Sequence, residues 1–274
     1  MMFLPFVACL VVTGIHAYLG LHVIERGIIF VDLALTQVAA FGATVGFLFG
    51  YALHSGPNYF VSLGFTMIGA ATFALTRLRT PLVPQEALIG IVYAVAAAAS
   101  ILVLSQAAEG GEELKNVLVG HLLFVQWSEV IRITVLYALI GLLHWLVRKP
   151  LLEISRDSDA AFAKGWHVRW WDFLFYASFG VVVASSVELA GVLLVFSFLI
   201  VPSVCAVLLA RRISTRLWFG WLTSTLTSVA GIAASYYWDL PTGATVVCAF
   251  GLCLLLCAGL RILLGPIVDT HAPP

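Results

Sequence analysis

Residues 191–212 read GVLLVFSFLIVPSVCAVLLARR, which is twenty residues without a charge followed by two arginines. A helix needs about 20 apolar residues to cross the roughly 30 Å hydrocarbon core of a bilayer. Basic residues at the end of such a run are typical of the cytoplasmic membrane boundary. The stretch therefore predicts a membrane-spanning helix that ends at Arg211.

The rest of the chain has the same character. Of its 274 residues 62% are hydrophobic and 10% charged, with fourteen basic and fourteen acidic side chains, and the mean hydropathy is +1.05. A soluble domain carries about 25% charged residues, and a nucleic-acid-binding protein needs a basic surface. Composition excludes both classes and predicts an all-α polytopic membrane protein.

Apolar runs long enough to span recur along the whole chain, with no second domain. We expect one transmembrane domain over 1–274 with a short flexible tail at 265–274. Eight or nine spans fit, because the runs at 171–187 and 189–210 could be partly re-entrant. The runs lie at 3–23, 27–53, 59–76, 87–106, 129–147, 171–187, 189–210, 217–237 and 243–260.

Basic residues predict the orientation, because each cluster lies two spans from the previous one. Twelve of the fourteen then fall on one side, which the positive-inside rule makes cytoplasmic. We therefore expect a cell (inner) membrane protein with its N-terminus outside and its C-terminus in the cytoplasm. The twelve are Arg26, Arg77, Arg79, Arg148, Lys149, Arg156, Lys164, Arg169, Arg211, Arg212, Arg216 and Arg261.

The longest polar segment is the cytoplasmic loop 148–170, RKPLLEISRDSDAAFAKGWHVRW. It lacks the Gly/Ser richness of a linker. Ser158 is placed to cap a short helix over 159–163, and Gly165 is placed to end it. Such a helix could dock into a cleft of a soluble partner, or the segment could be a solvated connector.

Two acidic residues stand out against the apolar background. Asp32 lies inside the second run, where an ionised carboxylate costs several kcal/mol and normally faces a wet path or a partner. Asp32 could instead pair with Arg26 or be hydrated at the cytoplasmic interface. Glu188 lies at the outer junction of two runs, as the entrance of a path or simply in extracellular water.

Other residues within the spans give weaker indications. Pro202 predicts a kink, since proline removes one helical hydrogen bond. Cys253 and Cys257 share a helix face, and we favour packing as small apolar side chains over a soft-metal site. No pair of histidines has the spacing of a ligand set, so each is interpreted as interfacial or hydrogen-bonded.

Three stretches together resemble the permease subunits of ATP-binding-cassette (ABC) importers for zinc, manganese or iron. They are ERGIIFVDLALTQVAAFG at 25–42, the run at 191–212, and SYYWDLPTGATVV at 235–247. The loop at 159–165 falls where that family carries its coupling helix. The resemblance implies a type II-like ABC importer fold, a homodimer, two cytoplasmic ATPase subunits, and an extracytoplasmic metal-binding protein. It also implies ATPase coupling at Asp159, Ala160, Ala163 and Gly165, and a kink or gate at Pro202.

One position departs from the family pattern. Gln37 stands where the family's metal-liganding histidine stands, and the acid has moved one residue earlier, to Asp32. Residues four apart share a helix face, whereas residues five apart diverge by about 140°. Asp32 and Thr36 can therefore act together and Asp32 and Gln37 cannot. These three remain the candidate metal path, and oxygen ligands suit harder ions than zinc.

Two other functions compete with the permease hypothesis. A self-sufficient secondary transporter could use Asp32 or Glu188 as a proton relay. An intramembrane enzyme is disfavoured because no catalytic constellation recurs at helical spacing. The chain contains no P-loop motif, so ATP has to be hydrolysed by another chain. We therefore expect a transport subunit that is not an enzyme, holds no covalently bound cofactor and carries a divalent metal ion as its cargo.

Overall fold

The computed structural model describes residues 2–52, 55–77, 83–105 and 122–264, and every regular element in these ranges is helical. The tail expected at 265–274 lies outside them. The helices are α1 Phe3–Arg26, α2 Val31–Leu48, α3 Gly56–Leu75, α4 Gln85–Leu104, α5 Trp127–Leu146, α6 Arg148–Arg156, α7 Ser158–Ala163, α8 Val168–Ala190, α9 Val192–Leu209, α10 Ile213–Trp238 and α11 Thr242–Leu264, with a 3₁₀ turn at Leu122–Phe124.

Within the described ranges, nine helices are long and apolar enough to cross a membrane: α1 to α5 and α8 to α11. This confirms nine spans over eight. The two runs that could have been re-entrant form the full-length helices α8 and α9. They are separated at Gly191, whose backbone φ of 78° is accessible mainly to glycine.

The spans pack as two groups. In one, α2 lies against α3 and α4, and in the other, α1, α9, α10 and α11 pack on one another. Helix α8 joins the groups, because it contacts α3 and α2 on one side and α9 on the other. Its Phe175, Tyr176 and Phe179 side chains are completely buried at this junction.

Glycines let the helices within each group approach closely, as is typical of membrane interfaces that lack a hydrophobic driving force. A Cβ at Gly46 of α2 would lie 1.9 Å from the side-chain oxygen of Asn58 on α3. A Cβ at Gly20 of α1 would lie 2.1 Å from the carbonyl oxygen of Leu199 on α9. A larger residue at Gly20 would displace the α9 backbone, whereas one at Gly46 would displace the Asn58 side chain.

One end of the bundle collects the basic side chains, and we call it the basic end. Arg26 and Arg77, at the ends of α1 and α3, both reach Asp172 at the start of α8. Arg216 of α10 forms an ion pair with Glu25. Helices α6 and α7 lie at this same end, as the alternation of basic clusters predicts.

Candidate functional site

Helices α6 and α7 form a short helical pair at the basic end. Helix α6 arises from RKPLLEISR because its apolar residues fall on one face, burying Leu151 and Ile154 completely. Ile154 packs with Ala161 of α7 and Val168 of α8. An ion pair between Lys164 and Glu153 closes the pair on its exposed side. The sequence analysis treated residues 148–156 as part of a loop and missed α6.

The second helix begins and ends almost where the sequence predicts. The helix over Ser158–Ala163 is confirmed, but its N-cap is Asp157 rather than Ser158. The Asp157 carboxylate accepts the Ala160 backbone N–H at 2.9 Å, and a side-chain oxygen at this position satisfies a free helical donor. Gly165 ends the helix with a φ of 80°, and the turn there forms a Schellman motif.

Residues assigned to ATPase coupling lie on the outer face of this helical pair. Asp159, Ala163 and Gly165 are exposed and Ala160 is half-buried. The side chains are small or short, so they leave room for a partner surface. On the opposite side of α7, Ala161 is completely buried and packs with Ile154 and Val168.

A buried polar cluster ties α6 to the spans. The Arg26 guanidinium forms an ion pair with Asp172, both side chains being fully buried, and lies over the Phe175 ring at 4.1 Å. The Arg26 Nε donates to the Ser155 hydroxyl at 2.8 Å. That oxygen also lies 2.8 Å from Nδ1 of His22. We call Arg26, Asp172, Ser155 and His22 the coupling cluster.

The coupling cluster extends to the first group of spans. Arg77 Nε lies 3.6 Å from the second oxygen of Asp172, and its Nη1 donates to the Gln85 side-chain oxygen at 2.9 Å. The Gln85 amide in turn donates to the Tyr176 hydroxyl at 3.0 Å. Helices α1, α3, α4, α6 and α8 are therefore joined by one polar network.

Sequence reasoning missed Asp172, because it considered Arg26 only as a partner for Asp32. That pairing is wrong: Arg26 turns to Asp172 and Ser155, and neither carboxylate oxygen of Asp32 has a hydrogen-bond partner in the described part of the chain. The only available signal was that Asp172 is an acidic residue near the start of an apolar run.

Asp32 lies in the first turn of α2, where the positive end of the helix dipole favours an anion. It is 1% exposed, and one turn further the Thr36 hydroxyl is 2% exposed. The Thr36 hydroxyl also has no hydrogen-bond partner in the described ranges. Buried polar groups almost always have partners, so this pair of oxygen donors has the character of a ligand site.

Gln37 does not join this pair. It is half-buried, on a face of α2 about 140° from Asp32. Another carboxylate, which sequence reasoning missed, lies at the same end of α2. Glu86 of α4 accepts the Phe30 backbone N–H at 3.0 Å through one oxygen, and its other oxygen is buried without a hydrogen-bond partner among the described residues.

The remaining predicted residues lie far from Asp32. Glu188, near the other end of α8, forms a partly exposed ion pair with Arg132 at 3.3 Å. Pro202 is buried inside α9, which continues as a helix on both sides of it. Its carbonyl oxygen faces Gly220 of α10, so the proline lies where α1, α9 and α10 meet.

The histidine interpretation is confirmed for the three buried rings, each of which has a hydrogen bond. His16 bonds the Val12 carbonyl oxygen, His22 the Ser155 hydroxyl, and His144 the Ser178 hydroxyl. Tyr18 lies between the latter two rings. A cavity of about 430 Å³ opens beside them between α1, α5, α6 and α10.

Comparison with known protein families identifies the family to which this chain belongs. The model of the ABC 3 transport family matches residues 1–260, nearly the whole chain. The chain belongs to the ABC 3 transport family. It is a multi-pass membrane protein, the membrane-spanning component of an ABC transport system and not its ATPase.

Individual relatives agree with this membership. The chain is 25% identical over 244 residues to the "Manganese transport system membrane protein MntC" of Listeria innocua, covering 86% of this chain and 81% of the relative. It is 25% identical over 238 residues to the "Probable iron transport system membrane protein" of Haemophilus influenzae, covering 87% and 85%.

A solved structure shares the fold of this family member. The structure described as "PsaBC from Streptococcus pneumoniae in complex with Fab" superposes with a TM-score of 0.76 over 93% of this chain and 89% of that one. The two sequences are 22% identical, so the likeness concerns the fold alone. It confirms the all-helical permease architecture expected from the sequence.

Proposed function

We propose that this chain is the permease subunit of an importer for manganese or iron. It works as a homodimer with two cytoplasmic ATPase subunits and an extracytoplasmic protein that delivers the ion. Relatives named for manganese and iron transport support this class of cargo. The basic end faces the cytoplasm, as the positive-inside rule requires.

The observation that carries the proposal is the connection between α7 and the spans. An ATPase that grips the exposed Asp159–Gly165 face moves α7 and the packed α6 together. Ser155 of α6 is bonded to Arg26, and Arg26 to Asp172, so the movement reaches α1 and α8 directly. A solvated connector would need neither buried side chains nor a buried ion pair.

The ion path is assigned to the Asp32–Thr36 face of α2. Carboxylate and hydroxyl oxygens suit Mn²⁺ and Fe²⁺ better than the softer Zn²⁺. Two such oxygen donors on one face of α2 offer a transient site for the ion. In this scheme Glu188 contributes at the path entrance and Pro202 to gating.

The decisive experiment uses the chain co-expressed with its ABC ATPase and reconstituted in proteoliposomes. Wild type should take up Mn²⁺ only with ATP. Ala163→Glu should abolish uptake and ATPase co-purification, because it would bury an unpaired charge at the contact with the ATPase. Replacing Asp159–Gly165 by a Gly/Ser linker should do the same. Ala163→Ser is the matched control and should retain both.

The opposing outcomes are distinct. Full uptake and co-purification with Ala163→Glu would remove α7 from the coupling contact. Uphill Mn²⁺ uptake by the purified chain without any ATPase would instead support the secondary transporter, in which Asp32 serves as a proton relay.

A further inference from the structure

Three of the five cysteines converge between two spans. Cys205 lies on α9, while Cys253 and Cys257 lie one turn apart on α11. Their sulfur atoms all lie within 4.8 Å of one another, the one such grouping of three histidine, cysteine or acidic ligand atoms in the described ranges. Cys205 is fully buried and the other two are half-buried.

We propose that Cys205, Cys253 and Cys257 form a binding site for one soft metal ion of the Zn²⁺, Cd²⁺ or Cu⁺ class, separate from the ion path on α2. The sequence places Cys253 and Cys257 on one helix face, but two cysteines alone are a weak indication of a metal site. Cys205 is 48 residues before Cys253, so only the fold reveals the third ligand.

The spacing of the sulfurs suits a metal. An ion held about 2.3 Å from three sulfurs in one plane keeps those sulfurs about 4.0 Å apart. The observed sulfur–sulfur distances are at most 4.8 Å. Small rotations of the cysteine side chains would therefore bring the three sulfurs to the trigonal spacing. A disulfide requires sulfurs about 2.05 Å apart, a much larger contraction.

Charge and softness set the ion class. A divalent ion bound by two thiolates and one neutral thiol, or Cu⁺ bound by one thiolate and two neutral thiols, forms a neutral complex, the arrangement that a low-dielectric span tolerates best. Thiolates select Zn²⁺, Cd²⁺ and Cu⁺ over Mn²⁺, which prefers oxygen ligands. This site would therefore ignore the proposed cargo and respond to a different metal.

The test is titration of the purified, reduced chain in detergent with Cd²⁺, followed by cadmium–thiolate ultraviolet absorbance. We expect one Cd²⁺ per chain. Cys205→Ser, Cys253→Ser and Cys257→Ser should each lower the affinity by about tenfold or more. Cys248→Ser is the matched control: Cys248 is exposed on the same helix and its loss should change nothing. Excess Mn²⁺ should not compete.

A second measurement on wild type avoids variants that fail to fold. Maleimide labelling of Cys253 and Cys257, mapped by mass spectrometry, should be blocked by Cd²⁺ and unaffected by Mn²⁺. The proposal is overturned if wild type shows no cadmium–thiolate signal, if Cys205→Ser leaves the Cd²⁺ affinity unchanged, or if Cd²⁺ leaves both cysteines reactive. The proposal is also overturned if mass spectrometry detects a disulfide in the unreduced chain and this disulfide forms again in the presence of Cd²⁺.

Discussion

Two buried aspartates at the same end of the molecule have opposite surroundings. Asp172 forms ion pairs with Arg26 and Arg77 and is completely buried. Asp32 is equally buried, yet neither of its oxygens has a hydrogen-bond partner within the described ranges. A buried acid with partners holds helices together, whereas a buried acid without partners is free to bind a cation. The contrast separates the coupling cluster from the residues that we propose for the ion path.

The largest effect on stability should come from breaking the Arg26–Asp172 ion pair. Arg26→Ala leaves the Asp172 charge buried without its main partner, which should lower the free energy of unfolding by about 3–5 kcal/mol. Thermal unfolding of the purified chain in detergent measures this. Arg26→Met combined with Asp172→Leu removes both charges and should recover most of the stability while uptake stays lost. Equal instability of the single and double variants would contradict the role of the ion pair.

A substitution of Asp32 should have the opposite effect, with a loss of uptake and no loss of stability. Asp32→Asn should reduce Mn²⁺ uptake by about tenfold or more while leaving the thermal stability unchanged or raised, because no partner loses a bond. Asp172→Asn is the matched comparison and should destabilise the chain. If Asp32→Asn unfolds the protein as readily as Asp172→Asn does, Asp32 has a structural partner and is not on the path.

Thr36 sharpens the comparison within α2. Thr36→Val keeps the shape and removes the oxygen, so uptake should fall by roughly severalfold. Thr36→Ser keeps the oxygen and should retain uptake. Gln37→Leu should have less effect than Thr36→Val, since Gln37 lies on another face. A larger loss with Gln37→Leu would return Gln37 to the ion path and displace Thr36.

The smallest structural effect is expected at the half-exposed pair near the opposite end. Arg132→Ala should change the stability by less than about 1 kcal/mol, as is usual for solvent-exposed ion pairs. If Glu188 serves the path entrance, Glu188→Gln should lower the apparent affinity for Mn²⁺ with little change in maximal rate. Uptake kinetics measure both, and unchanged kinetics would reduce the pair to a surface contact.

Local features of the fold could be read from the sequence and distant contacts could not. The nine spans follow from runs of about 20 apolar residues, and α7 follows from a cap and a terminating glycine. Helix α6 was missed because its polar composition conceals one apolar face. The choice between Asp157 and Ser158 as the cap depends on which side chain turns toward the free N–H groups.

The candidate site shows the same difference between local features, which the sequence indicates, and distant contacts, which it does not. The Asp32–Thr36 pair is four residues apart on one helix, so helical geometry alone indicates it. The Arg26–Asp172 pair spans 146 residues, and nothing in either local sequence indicates the other. The cysteine grouping shows both cases at once, since its pair on α11 is visible in the sequence and its third member is not.

The glycine contact between α1 and α9 has a mechanical consequence. Because Gly20 brings the two backbones almost into contact at Leu199, a displacement of α1 would press directly on α9. We therefore expect α1 and α9 to move together when the coupling cluster moves, and relative movement of the spans to occur where this pair meets the α2–α3–α4 group.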